Sequence, residues 1–590
     1  MRILNNLGRM PILLTVPAIA ILLIAVGVPI VQLFLTSLNA PALSLVNYEA
    51  FFGDSANRRV LLQTIEISII ATLLCLIIGY PTAYLIAGAS KKVRVVLTVL
   101  VFIPWLTSAL VRTYAWVVIL GDHGLINQSL LGLGLISHPL PLLYNRLAVY
   151  IGMVHIMLPI FILPLLSVMV GIDKSLMAAA RSMGARPFAA FFRVYLPLSL
   201  PGVRSGVLLV FVICLGFYIT PAALGGLRDV MLSNFIATQL STSVNLAPVA
   251  ASAFILLAAA AVALFIFGLD LSGGGSHGAI ELTKRKRLQR ARRVALWLNE
   301  FAAHHRAKRW RIELYRPAEV IHWSTPVGAL FLTLVMLFLQ VPGLIVIAMS
   351  FSPAAVLEFP PSGFSLRWYE TFFADPSWTS ALMVSLQIGL SVALVSASVG
   401  TLAAFGLNRT VTRVRSLLTM VILTPITFPI IVVGVVIYFG LVRLGLIGTI
   451  SGVVIAHSVG AIAYVFVIVS ATLANFDRRL EQAAMSMRAG PITTFRRVTV
   501  PLILPGIVGG AVFAFIHSFD EVIITSLVSG FSIRTLPLKM YENISNQIDP
   551  TIAAVGSLLT LLPALWLLVL YLTWWKSRSL AQNVRPESLA

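Results

Sequence analysis

Long apolar runs dominate this chain and leave it few possible folds. They lie near residues 11–35, 62–88, 95–119, 147–171, 198–222 and 249–271, and again near 326–350, 380–407, 416–440, 449–473, 503–528 and 549–575. A helix needs about 20 residues to cross the hydrocarbon core of a bilayer, and each run supplies them. Hydrocarbon satisfies no backbone hydrogen bonds, so a spanning segment is either a helix or a strand of a closed barrel, and none of these runs alternates with a period of two. The expected fold is an all-α polytopic membrane protein of about twelve transmembrane helices in two parallel six-helix halves. Composition agrees, with 59% hydrophobic and 11% charged residues and a mean hydropathy of +0.97, far outside the soluble range. The run from Pro11 to about Leu35 is too long for a signal-peptide core and lacks a small-residue cleavage site, so it reads as a span that stays in the protein.

A polar segment between spans occurs twice. It reads AAARSMGARPFAAFFRVYLPLSLPG from Ala178 to Gly202 and QAAMSMRAGPITTFRRVTVPLILPG from Gln482 to Gly506. One offset of 304 residues superimposes Pro197 on Pro501, Asp173 on Asp477, Ala179 on Ala483, Arg193 on Arg497 and Gly202 on Gly506. Upstream, EISIIATLLCLIIGYPTAYLIA from Glu66 resembles QIGLSVALVSASVGTLAAFGLN from Gln387, with Gly79 opposite Gly400. The chain therefore carries two copies of one unit. An even number of spans per copy gives both the same orientation, related by an axis along the membrane normal, with a pathway between them.

A net charge of +21 invites a nucleic-acid reading, but the basic residues cluster in short loops that fall on one side when spans are counted. Arg2 and Arg9, Lys91, Lys92 and Arg94, both repeats, Arg409, Arg413 and Arg415, and Lys576 and Arg578 share that side. The positive-inside rule makes it the cytoplasm, with both termini there. Between the halves, GGGSHGAIELTKRKRLQRARRVALWLNEFAAHHRAKRWRIELYRP is glycine-rich and then strongly basic. It reads either as an amphipathic helix on the anionic inner leaflet or as a solvated tether. The expected domains are 1–272, a linker 273–325, and 326–590. His304 and His305 in the linker form too weak a pattern for a metal site, and Cys75 and Cys214, inside apolar runs, read as inert core residues.

No phosphate loop, nucleophile elbow, HExxH pair or cysteine cluster occurs; the GGG run at Gly273–Gly275 lacks the lysine that reaches phosphates. The chain is not expected to be an enzyme. If ATP drives it, the energy comes from another subunit, and the repeated segment is where that subunit would press.

These segments resemble the EAA loop of binding-protein-dependent ABC importer permeases, E-A-A-x-x-x-G followed after nine residues by I-x-L-P. Ala179-Ala180 and Ala483-Ala484 match the alanines, Gly184 the glycine of the first copy, and Leu196-Pro197 and Val500-Pro501 the closing pair. More widely, IPWLTSALVRTYAWVVILGDHGLIN and FYITPAALGG resemble one spermidine/putrescine-type permease subunit, and FDEVIITSLVSG with TLPLKMYENI resembles the other, so the chain looks like their fusion. The resemblance implies a type I importer permease in the bacterial inner membrane. It implies two ATP-binding cassette subunits on the repeats, a periplasmic solute-binding protein outside, a polyamine as solute, and ATP and magnesium held by the partners. Related permeases for iron(III), thiamine, opines or phosphonates are the alternative. An ion-coupled secondary transporter would also have two six-helix halves but would need no docking repeat.

The ATPase-docking surface implied for this chain comprises Ala178, Ala179, Ala180, Gly184, Arg186, Arg193 and Pro197, with Gln482, Ala483, Ala484, Arg488, Gly490, Arg497 and Pro501. In the family an acid opens the motif and pairs with the ATPase; Ala178 and Gln482 stand there instead. Arg488 replaces the glycine of the second copy, and a non-glycine residue in a left-handed turn costs about 1 kcal/mol. Either Gly490 takes over the turn or the loop is shaped differently.

Charges within spans are costly and point to function. Asp520 and Glu521 fall well within the eleventh predicted span, where helical neighbours point about 100° apart, so one would face the pathway and the other a neighbouring helix. Glu66 near the outer end of the second span either lines the pathway, or snorkels to the interface or caps a neighbour. Arg112, with Trp105, Tyr114 and Trp116, marks either an interfacial aromatic belt or a site that stacks on a cation. Phe217 and Tyr218, before Thr220-Pro221, are the first-half positions nearest to Phe519 and Asp520, and either gate the pathway or pack.

Overall fold

The computed structural model describes residues 11–267 and 324–565, apart from 40, 356–358, 411, 531, 547–548 and 562–564. Among these, ten helices are long and apolar enough to cross a bilayer, or eleven if Arg413–Thr427 and Ile430–Arg443, which meet at 104°, form one span. The basic linker and the second half of the predicted span 549–575 lie outside the described residues, apart from 565.

Two offsets superimpose the second set of helices on the first. Val46–Gly53, Ser55–Gly88, Lys91–Leu106 and Ala109–Leu120 begin 321 residues before Arg367–Ala374, Pro376–Asn408, Thr412–Thr427 and Ile430–Arg443. Arg146–Val170, Leu196–Leu215, Ile219–Leu224 and Leu232–Thr242 begin 304 residues before Ile450–Ala474, Val500–Phe519, Ile523–Val528 and Leu536–Asn546. The change of offset falls between Ala109–Leu120 and Arg146–Val170, where the first set carries an additional helix, Leu125–Gly132. Asn127 pins that addition, donating to Gly121 O and Leu140 O and accepting from Leu140 N.

Four predicted spans are broken rather than continuous. The third ends at Leu106 and restarts at Ala109, the fifth breaks between Leu215 and Ile219, the ninth between Thr427 and Ile430, and the eleventh between Phe519 and Ile523. Pro104 and Pro425 sit near the ends of two of the interrupted helices, where a proline removes a backbone donor. Ser108 then caps the restart by accepting from Leu110 N.

Within each unit three long helices form the core, Ser55–Gly88 with Arg146–Val170 and Leu196–Leu215, and Pro376–Asn408 with Ile450–Ala474 and Val500–Phe519. Small residues let them approach, as expected where lipid supplies no hydrophobic drive between helices. A Cβ on Gly79 would lie 2.5 Å from the Phe161 ring, and one on the equivalent Gly400 2.8 Å from Val465.

The first helix of each unit crosses to the other unit. The start of Pro11–Ser37 lies on Pro376–Asn408, close enough that a Cβ on Gly406 would lie 2.6 Å from Pro11 O. Reciprocally, Pro326–Met349 packs on Ala109–Leu120: Gln340 Nε2 donates to Leu100 O at 2.5 Å, and Phe338 meets Trp116 and His155 with ring centroids 5.5 and 5.4 Å apart. Cys75 and Cys214 are buried and unpaired.

Candidate functional site

Each repeated segment folds as a short helix, a left-handed turn, a second short helix and a π turn leading into a span. Asp173 caps the first helix, Lys174–Ser182, by accepting from Ser175 N at 2.9 Å, and these bonds to Ser175 hold its carboxyl below the usual range. Asp477 accepts from Arg479 N at 2.9 Å at the start of Arg479–Ser486. Gly184 then takes φ +85° and Arg488 φ +64°, and the same bonds close both turns: Ala185 N to Ala180 O, and Ala489 N to Ala484 O, each at 3.1 Å. Neither expectation for the second copy holds, because Gly490 has φ −68° and the loop keeps its shape with Arg488 in the left-handed region. Arg488→Gly is therefore expected to stabilise the fold by about 1 kcal/mol, read as a raised thermal unfolding midpoint in detergent.

The prolines Pro197 and Pro501 explain the π turns, Phe191–Tyr195 and Phe495–Thr499. A proline clashes with the carbonyl four residues back, and widening the preceding turn relieves it. Ala178, Ala179, Arg186, Arg193, Gln482, Ala483 and Arg497 are exposed, whereas Ala180 is buried. The largest apolar projections were missed from sequence. Met183 is 83% and Met487 84% exposed at the tips of the turns, followed by Phe188 at 72% and Ile492 at 42%. Both pairs obey the 304 offset, and that coincidence was the available signal.

At the middle of the protein, the break after Val500–Phe519 meets the restart at Ala109. Asp520 reaches across to the first unit: Ser108 Oγ donates to its Oδ1, and Ala109 N to its Oδ2 at 3.3 Å. Its carboxylate thus sits on the N-terminal end of Ala109–Leu120, where backbone donors and the helix dipole favour an anion. Glu521, buried, turns back and accepts from Ile524 N at 2.7 Å, capping its own unit's short helix. The two carboxylates diverge because the helix has ended, not because of a helical step. Under the 304 offset Asp520 pairs with Gly216 and Glu521 with Phe217, two residues from the correspondence expected. Gly216 abuts the matching restart: a Cβ there would lie 3.0 Å from Ile430 N and from Pro429 Cβ.

Arg112, one turn into the same helix, is buried and attracted electrostatically to Asp520, and its Nε and Nη1 have no hydrogen-bond partner among the described residues. Tyr114 and Trp116 are buried as well, which removes them from any lipid-facing belt; Trp116 packs on His155. Trp105 crosses between units to Phe513 at 5.6 Å, beside a cleft of about 470 Å³ lined by Leu423, Ile426, Tyr464, Val467, Gly509 and Phe513. Tyr541 donates to Tyr218 at 3.0 Å, joining the two units, while Phe519 stacks on Phe515. Phe217 contributes its carbonyl to Ser233 Oγ. Glu66 is exposed and paired with Arg146 at 3.1 Å, so its partner is a neighbouring helix end rather than this group.

His457 was not anticipated. It is buried and links Ser518 Oγ at 2.8 Å to Thr525 Oγ1 at 2.9 Å, spanning the break on which Asp520 and Glu521 sit. A histidine within an apolar run was the signal, since such a ring must find partners.

Residues 76–272 and 396–577 each match the sequence model of a family described as binding-protein-dependent transport system inner membrane component. The spermidine/putrescine transport system permease protein PotB of Haemophilus influenzae is 37% identical over 203 residues, 34% of this chain and 71% of the relative. PotB of Escherichia coli K12 is 37% identical over 196 residues, 33% of this chain and 71% of the relative. The putrescine transport system permease protein PotI of the same strain is 32% identical over 230 residues, 38% of this chain and 81% of the relative. Each alignment takes about a third of this chain and most of the relative, as a chain with two such units requires.

Proposed function

Because this chain belongs to the family of binding-protein-dependent transport system inner membrane components, we propose that it is both permease halves of a polyamine importer in one polypeptide. It is the permease of an ABC-type transporter and is not itself catalytic. In this reading residues 1–272 and 326–590 are the two six-helix halves, and 273–325 is a cytoplasmic linker. The protein resides in the bacterial inner membrane with both termini inside. Two ATP-binding subunits dock on the repeated segments, and a periplasmic binding protein delivers solute from outside.

The observation that carries this reading is the docking geometry itself. One loop shape occurs twice, with Met183 and Met487 projecting from equivalent turns and left-handed backbone kept even where arginine occupies it. A surface with no partner would have no need of matched, exposed apolar tips. Closure of the ATPases presses the two segments together and rocks the halves. The contacts that cross between halves, Asp520 with Ser108 and Ala109, and Tyr218 with Tyr541, are the ones such a motion remakes.

For the solute, the half-buried carboxylate of Asp520 and the aromatic pair Trp105 and Phe513, both at contacts between the two units, suit an organic cation. Asp520, Glu521, Phe519, Phe217, Tyr218, Arg112 and Trp105 group along this pathway, and Glu66, paired with Arg146, stands apart from them. The unbonded guanidinium N–H groups of Arg112 favour an anionic solute as the second reading. Reconstitution in liposomes with the ATP-binding and binding-protein partners decides between them. ATP hydrolysis stimulated by spermidine or putrescine only when the binding protein is present is the expected result. Stimulation by the binding protein with an anionic solute and not with polyamines would overturn the substrate assignment.

A further inference from the structure

The two docking segments are fastened to their own halves by different chemistry. In the second half, Glu481 lies in the first turn of Arg479–Ser486 and is only 8% exposed. Both of its carboxylate oxygens accept from Arg409 Nη2 at 2.5 Å, and Oε1 also accepts from Thr499 Oγ1. Arg409 ends the Pro376–Asn408 span; its guanidinium lies 3.5 Å over the Phe405 ring, and its Nη1 donates to Phe405 O at 3.3 Å. Beside it, Arg478 Nη2 donates to Asn408 O at 2.6 Å and to Asn408 Oδ1 at 2.9 Å. Glu481 thus joins three elements: the docking helix, the π turn at Thr499 and the end of a core span.

Among the described residues of the first half no such pair occurs. The offsets place Met177 opposite Glu481, Gly88 opposite Arg409 and Tyr195 opposite Thr499. Ring packing is left: Tyr84 meets Phe191 at 5.4 Å, as the equivalent Phe405 meets Phe495 at 4.5 Å in the second half, and Tyr195, where the second half has Thr499, adds a further ring 5.1 Å from Tyr84. Ring packing is weakly directional and tolerates sliding. A buried arginine–carboxylate pair is directional and resists separation, since either charge alone is costly once desolvated. Buried pairs add little net stability over an apolar core of the same shape, so stability alone does not account for one on this half.

We propose that the Glu481–Arg409 pair is the link through which the second docking segment drives its transmembrane core, so that this half moves as a stiff lever and the first half follows compliantly. Both are positioning residues, Glu481 buried and Arg409 half-buried. The proposal rests on the importer reading above.

The test uses the full chain in liposomes with both partner types, reading solute taken up per ATP hydrolysed. Glu481→Gln and Arg409→Gln keep similar shapes and remove one charge each. Expected are intact co-purification of the ATP-binding subunits, continued ATP hydrolysis, and uptake per ATP lower by roughly tenfold, the scale on which lost positioning acts. The reversed pair, Arg409→Glu with Glu481→Arg, is expected to regain a large part of that loss. Tyr84→Phe in the first half is expected to leave the ratio within about twofold, because ring packing survives loss of the hydroxyl. An unchanged ratio in both single variants would overturn the proposal. So would loss of subunit association in them, which would make the pair a shaper of the docking surface. Failure of the unaltered chain to bind ATP-binding subunits would instead strike the importer reading itself.

Discussion

Aspartate in place of both Met183 and Met487 is expected to abolish association with the ATP-binding subunits while the membrane helices stay folded. The side chains are 83% and 84% exposed, so no core contact is lost. Methionine is a soft apolar side chain suited to a partner's cleft, and a central apolar contact of an interface carries about 2 kcal/mol or more. Two of them, exchanged for carboxylates that must be desolvated, lower affinity by about a thousandfold or more. Each single variant is expected to show part of the loss. Co-purification and titration of the ATP-binding subunits give the answer, and normal association of the double variant would refute the docking assignment.

Asp520→Ala is expected to be the most damaging single change at the centre. It leaves the buried Ser108 hydroxyl, the half-buried Ala109 N–H and the buried Arg112 guanidinium without their anion. Stranding one partner of a buried charged group costs about 3–5 kcal/mol, and uptake should fall to about a hundredth or less on the same scale. Asp520→Asn, which keeps an acceptor but not the charge, should fall between. Glu521→Gln should be mild by comparison, because an amide oxygen can still accept from Ile524 N. Thermal unfolding and uptake measured on the same preparations separate stability from transport. Wild-type behaviour of Asp520→Ala in both would remove the carboxylate from any role at this junction.

The spans and the duplication were readable because they depend on composition and order alone. The breaks were not: Leu215 to Ile219 carries no charge, the carboxylates between Phe519 and Ile523 lie within a run otherwise apolar, and only the fold shows that each break meets the other unit, Gly216 at Ile430 and Asp520 at Ser108. That is why Asp520 and Glu521 read as residues inside a helix and are in fact helix caps. Arg488 shows the opposite failure. Residue preference argued for a turn at Gly490, but the fold repeated its backbone and put arginine where glycine had been. Glu481 was passed over because the motif fixes attention on its neighbour Gln482, which is exposed, while the buried acid stands one residue earlier. Only the span end carrying Arg409, brought close by folding, gives that acid its meaning.

The crossed first helices bear on how the protein is made. The stretch from Pro11 rests on Pro376–Asn408, which a ribosome adding about 5–20 residues per second supplies roughly twenty to eighty seconds later. Throughout that interval the opening of Pro11–Ser37 sits against lipid or a membrane chaperone instead of its final neighbour. In a permease assembled from two separate polypeptides the same wait would depend on a chance meeting. Here it ends on a schedule set by the length of one message, with both surfaces delivered in equal number and to the same patch of membrane.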